Sequence, residues 1–151
     1  MKSIKTLLAA AMLAGLSAFV QVQAASAPPL TRTDIFAVES SNCGFERLYS
    51  PYVSTTCDHG GAWLYVYVLE VGYGTGGKAT MRGDVLPRSA LLISKPLCTI
   101  NGVLDFCPVG LSVEGYLYVY DLSGYQGGQF AYENTSINYP FNTMYRWISI
   151  W

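Results

Sequence analysis

The chain has 151 residues, of which 51% are hydrophobic and only 13% charged, with a formal net charge of −1 at pH 7. No basic run is present, so the electrostatic footprint of a nucleic-acid binder is missing, and so is a polybasic patch for anionic lipid. With one histidine and four cysteines, a zinc centre built from several histidines is excluded and no cofactor is called for.

The chain opens on an address. Lys2 and Lys5 make a short positive region, Thr6 to Val20 is uncharged and mostly apolar, and Val22-Gln23-Ala24 supplies the small-residue pattern that signal peptidase reads. Ala25-Ser26-Ala27 offers a second cleavage site. The apolar stretch is short for a spanning helix. Residues 1–24 therefore read as a cleaved secretory signal, and the protein as a bacterial one exported to the periplasm or the medium. The remaining residues, 25–151, are enough for one domain with a real core. They hold ten acids and seven bases, a net charge of about −3.

Residues 25–32, with Pro28-Pro29, read as a flexible lead-in, and 33–151 as a single β-domain. No apolar repeat of 3.6 is convincing anywhere in it. Strands are predicted at Thr33–Glu39, Phe45–Tyr49, Ala62–Tyr73, Lys78–Gly83, Ala90–Ser94, Leu97–Ile100, Val103–Cys107, Leu111–Leu122, Gln129–Glu133 and Thr143–Trp151. Clusters of Gly, Pro, Asn and Ser separate them at short intervals. The fold class is all-β: a disulfide-stabilised antiparallel β-sandwich with Greek-key-like connections, or a small closed barrel.

Two strands carry a related motif. Trp63-Leu64-Tyr65-Val66-Tyr67-Val68 and Tyr116-Leu117-Tyr118-Val119-Tyr120-Asp121 are each followed by Gly-Tyr and Gly-Gly. Two related halves would explain this, and so would β-rich composition alone. The first strand is apolar on both faces, as expected for a strand covered on both sides. The arrangement expected is two central strands sharing one tyrosine-rich face, made of Trp63, Tyr65, Tyr67, Tyr116, Tyr118 and Tyr120.

Four cysteines in an exported domain suggest two disulfides, and the local pairs Cys43–Cys57 and Cys98–Cys107 are favoured over the other two connectivities. The second pair constrains a turn. With Asn101-Gly102 as the two turn residues, Cys98 faces Asp105 and the cysteines are only diagonal neighbours. With Gly102-Val103, or a four-residue loop over 101–104, they face each other directly. A four-thiolate metal site fits neither the spacings nor the compartment, and no metal is assigned.

Catalytic signals are weak. His59, beside Asp58, is the one histidine a general base could use, yet adjacent residues rarely align as an acid–base pair and no G-x-S-x-G elbow is present. The bland reading is a turn in which Asp58 bonds local backbone. Glu70 and Glu114 lie on or beside the tyrosine strands and are the carboxylate pair a glycan hydrolase would use. Gly72-Tyr73-Gly74-Thr75-Gly76-Gly77 lacks the helix that a nucleotide-binding loop opens, and reads as a hairpin loop. Arg82-Gly83-Asp84 reads as a turn, and Asn134-Thr135-Ser136 as a sequon that matters only in a glycosylating host.

The C-terminal strand alternates Tyr145, Trp147 and Trp151 with Arg146, Ile148 and Ile150, and ends on an aromatic as outer-membrane barrels do. The central strands lack the alternating polar residues of a small membrane barrel, so a closing strand whose tryptophans finish the core is expected. The functional expectation is an exported, non-enzymatic binding module that engages a glycan or a protein through its aromatic surface. Nucleic acid is excluded as a partner, and the mature domain is not expected to be embedded in a membrane. A small secreted hydrolase and a small outer-membrane barrel are the alternatives.

Overall fold

A computed structural model describes residues 26–49 and 53–151. The expected signal segment, residues 1–24, lies outside the described residues. Ten strands follow in order: β1 Arg32–Ser40, β2 Gly44–Arg47, β3 Leu64–Val71, β4 Lys78–Met81, β5 Asp84–Val85, β6 Leu91–Ile100, β7 Val103–Phe106, β8 Gly115–Asp121, β9 Gly128–Thr135 and β10 Thr143–Ile150. A 3-10 turn at Arg88–Ala90 precedes β6. All strand pairs are antiparallel, in a six-stranded sheet ordered β2-β1-β3-β8-β6-β7 and a four-stranded sheet ordered β10-β9-β4-β5. The protein is a disulfide-stabilised, all-β antiparallel sandwich whose larger sheet curls halfway to a barrel.

The core follows from the period of two. On β3, Leu64, Val66, Val68 and Glu70 are all buried, while Tyr65, Tyr67, Leu69 and Val71 alternate onto the other face. The buried row packs on Ala79 and Met81 of β4, Phe130 and Tyr132 of β9, and Ile148 and Ile150 of β10. Burying each large apolar side chain contributes about 1.5–3 kcal/mol against leaving it in water. That gain holds the sheets together. Two positive-φ turns, Arg82-Gly83 between β4 and β5 and Asn101-Gly102 between β6 and β7, match the twist of the strands they join.

Several expectations are corrected. Ala90–Ser94 and Leu97–Ile100 form one strand, β6, with Pro96 inside it. Pro96 sits just past the end of the β6–β7 ladder, whose last pair is Leu97 and Phe106; its carbonyl accepts the Cys107 N–H at 3.0 Å, and the return bond it cannot donate falls outside the residues paired in that ladder. The glycine-rich segment after β3 does not close a hairpin. It carries the chain from the larger sheet to the smaller, between β3 and β4. The lead-in is tied down in part: Leu30 is 1% exposed, its N–H donates to Ser136 Oγ at 3.0 Å, and Pro29 bridges to Tyr73. On β10 it is Ile148 and Ile150 that finish the core. Tyr145, Trp147 and Trp151 are exposed, because the strand's register sets Phe130 opposite Ile148 and turns the aromatic row outward.

The expected Cys98–Cys107 bond is not formed, and both residues are free thiols. Asn101 and Gly102, both at positive φ, occupy the two-residue turn, so Ile100 faces Val103 and Cys98 faces Asp105. The cysteines are then diagonal. Cys43 and Cys57 are joined by a disulfide, with Cα atoms 6.1 Å apart.

Candidate functional site

The two tyrosine rows do not share a face. β3 and β8 are neighbours, but their register sets Val66 opposite Tyr120, Tyr67 opposite Val119 and Val68 opposite Tyr118. Residues opposed in an antiparallel pair point to the same side. Tyr116, Tyr118 and Tyr120 therefore line the interior with Glu70, Val68 and Val66. Tyr65 and Tyr67 lie on the outer face of the sheet. A one-residue offset between two similar sequences is enough to split them.

The inner row surrounds a buried carboxyl. Glu70 is 1% exposed, and Asn134 Nδ2 donates to its Oε1 at 2.7 Å. Burial pushes this carboxyl above its ordinary value, opposed chiefly by the Asn134 hydrogen bond. Burial and the nearby Glu70 charge in turn push Tyr120 up to about 12. Glu114 is held separately, its Oε2 accepting from Thr99 Oγ1 at 2.7 Å. With Glu70 enclosed, the two carboxyls do not flank a cleft that a sugar can enter. Asn134 is itself 3% exposed, so the sequon is no acceptor in the folded protein.

His59 joins a second buried network. Its ring is fully enclosed, with Nδ1 3.1 Å from Ser40 Oγ and Nε2 2.9 Å from Glu46 Oε2. Ser40 ends β1, Glu46 lies on β2, and both face the same side through the β1–β2 register. The Ser40 hydroxyl accepts the Cys43 N–H at 3.2 Å, which leaves its proton for Nδ1, while Nε2–H donates to Glu46. Burial works to raise the Glu46 carboxyl. Hydrogen bonds from the Thr56 N–H, His59, the Thr56 hydroxyl and the Cys57 N–H outweigh it and hold the group below its ordinary value. Serine, histidine and glutamate are in the order of a nucleophile, base and orienting acid. The serine and the imidazole are closed to a substrate, since Ser40 is 1% exposed and His59 is sealed; only Glu46 is partly open to solvent. The array works as a bracket: it pins the loop after Cys57 to β1 and β2, and the His59 N–H ties down the Trp151 carbonyl. Asp58 takes no part in it and accepts the Gly60 N–H at 3.0 Å.

The open site is on the outer face of the larger sheet. A trough of about 760 Å³ is lined by residues of β1, β2, β3, β6, β7, β8 and β10. Both edge strands of one sheet contribute to it, which requires the sheet to curl around it. Its floor is Leu69, Leu97 and Leu117. Its rim carries Arg32, Arg47 and Arg146 with Tyr49, Phe106 and Trp147. Phe106 is 58% exposed and Trp147 40%. Of the residues expected to bind, none lines it. Tyr67 is next to it, in edge-on contact with Phe36 of the trough wall at 5.8 Å, and its hydroxyl donates to Glu39. Burial, with the bond and charge of Glu39, pushes Tyr67 up to about 12.

Sequence reasoning missed the trough because its walls come from strands far apart in the chain. Only the outer row of β3 signalled it, through Leu69 and Val71 continuing the apolar series below the tyrosines.

A family model described as "Domain of unknown function (DUF4879)" matches residues 24–150. The chain belongs to this family. No curated protein matches it. The DUF4879 match runs from before β1 to the last residue of β10, so the sandwich, both buried networks and the trough all lie within it. Among the described residues, no helix is long and apolar enough to cross a membrane.

Proposed function

We propose that this protein is an exported, non-enzymatic binding module and that its ligand lies in the trough rather than on the tyrosine rows. One observation carries the reading: a trough of about 760 Å³ with an aliphatic floor and a rim of exposed aromatics and arginines. That volume falls within the range of small-molecule sites. Tyr, Trp and Arg are the residues that most often dominate binding energies. The leucine floor offers no hydrogen-bond partner to a hydroxyl-rich sugar, and the shared stacking face that a glycan needed is split between two sides of the sheet. An apolar ligand is the better match. Export is supported by the Cys43–Cys57 disulfide and by a family match that begins at residue 24, where the expected signal ends.

The test is titration of the oxidised protein lacking residues 1–24 with an uncharged polarity-sensitive dye such as Nile red. Saturable binding at one site is expected, weakened at least about five-fold by Phe106→Asp, which places a charge on an exposed rim position. Circular dichroism establishes that the variant is folded. Dye binding that does not saturate, or that a folded Phe106→Asp protein retains unchanged, rejects the trough as the site.

A further inference from the structure

Resting on that reading of the trough, we infer that the ligand it selects is an anionic amphiphile: an apolar chain ending in one carboxylate or sulfate group.

The argument begins with charge. The chain contains five arginines, and three of them, Arg32, Arg47 and Arg146, line the trough. Of its ten acids, only Asp34 and Asp105 do. In a protein that is net negative beyond its signal segment, this surface is the local exception. The pairing within it is also incomplete. Arg32 Nε bonds Asp34 Oδ2, and Arg146 Nε approaches the other oxygen of the same carboxylate at 3.9 Å. One carboxylate thus serves two guanidinium groups. Arg47 has no carboxylate in salt-bridge range among the described residues, and its guanidinium carbon sits 5.4 Å from the centre of the Tyr49 ring. Asp105 is turned back on its own chain, its Oδ1 accepting the Phe106 N–H at 2.7 Å. The trough therefore keeps positive charge that a ligand can meet.

The apolar half is set beside it by register. Asp34 faces Leu69 across β1 and β3, and Leu69 faces Leu117 across β3 and β8. One row further, Arg32 faces Val71, Val71 faces Gly115, Gly115 faces Leu97, and Leu97 faces Phe106. Within this row Arg32, Leu97 and Phe106 line the trough, while Val71 and Gly115 do not. From β1 to β7 the row crosses four strand spacings, about 19 Å if flat, the span of a long acyl chain. A head group at Arg32 and Arg146 and a tail over Leu69, Leu117 and Leu97 toward Phe106 uses both halves.

A peptide suits this floor less well. The floor is the face of a sheet, and the backbone groups beneath it are already paired along β1, β3, β8 and β6. An extended peptide laid there finds no partners for its own N–H and C=O groups. An acyl chain has none to satisfy.

Displacement of Nile red from the oxidised protein lacking residues 1–24, with competitors below their micelle-forming concentrations, decides the matter. Dodecanoate, dodecyltrimethylammonium, dodecyl maltoside and a capped peptide alternating leucine and glutamate are compared. Dodecanoate is expected to bind about ten-fold more tightly than the ammonium, a difference of about 1.4 kcal/mol. The double variant Arg32→Gln with Arg146→Gln is expected to lose that preference, and Arg88→Gln, outside the trough, to keep it. Equal affinity for the three head groups overturns the anion inference and leaves the trough reading standing. A peptide that outcompetes dodecanoate overturns the amphiphile. Nile red that never binds in the trough removes both.

Discussion

Asn134 on β9 donates a hydrogen bond of 2.7 Å to Glu70 on β3, joining the two sheets through their shared interior. An amide donor suits either a carboxylate or a neutral carbonyl acceptor, so the bond does not itself demand a charge. Burial does the opposite and favours the protonated carboxyl.

The consequence is an unusual pH dependence. The folded-state pKa of Glu70 lies above its unfolded value of about 4.3. Stability from this group is thus greatest below the unfolded value and is lost as pH rises through the folded one. Glu46 has the opposite sign, since its lowered pKa gives stability that is lost as pH falls through the folded value. Glu70→Gln keeps an acceptor for Asn134 and cannot ionise. It is expected to remove the loss of stability on the alkaline side while leaving the acid side as it was. Urea midpoints measured across pH for both proteins check this, and an unchanged alkaline slope in the variant would show that Glu70 is not its source.

The His59 bracket predicts a large effect without a catalytic one. His59→Ala removes a sealed ring and two hydrogen bonds and leaves the Ser40 and Glu46 groups short of a partner. A cost of about 3 kcal/mol is expected. Replacing Cys43 and Cys57 by serine opens a loop of 14 residues in sequence separation, expected to cost about 3 kcal/mol as well. Because Glu46 accepts from both His59 and the Cys57 N–H, the two changes share a partner. A double-mutant cycle by chemical denaturation is expected to show non-additivity.

What was legible in the sequence was what local pattern encodes. The period of two along Leu64–Val71 marks β3, and each strand from β1 to β4 and from β7 to β10 overlaps a predicted one. Pairing between distant strands was not legible. The motif shared by β3 and β8 looked like one aromatic surface, and only the register, Val66 opposite Tyr120, reveals the half-step that sends the rows to opposite faces. The same holds for the site. Arg32, Arg146 and Phe106 are separated by most of the chain: Arg32 and Phe106 meet across the curled larger sheet, and Arg146 is added by β10 of the smaller one. Asn101-Gly102 was legible as a turn. The expected second disulfide argued for a different register, and the intrinsic preference of Asn-Gly for positive φ prevailed.

That turn carries its own test. With Cys98 and Cys107 unbonded, the protein unfolded without reductant is expected to show two reactive thiols per chain. In the folded protein they differ. Burial, with the hydrogen bond and charge of Cys107, pushes Cys98 up to about 11, so its thiolate is scarce at neutral pH. Cys107 is half-buried and is expected to be modified first. Alkylation with mass spectrometry reads both the count and the order. A count of zero would mean that the Cys98–Cys107 bond forms after all, with a change of turn register.

Gly115 separates the demands of fold and trough. Its backbone lies against β3 so closely that a Cβ would overlap the Glu70 carbonyl oxygen, a backbone atom with little freedom to move. Gly115→Ala is expected to cost about 1–3 kcal/mol, as overpacking does in a filled interior. Gly115 does not line the trough, so dye binding by the folded variant is expected to be unchanged. Phe106→Ala is the complement. At 58% exposed, Phe106 is expected to change stability by less than about 0.5 kcal/mol. Its loss from the rim is still expected to weaken Nile red binding. Denaturation and dye titration on the same two proteins check both claims. Equal losses of stability would mean that the rim of the trough is part of the core.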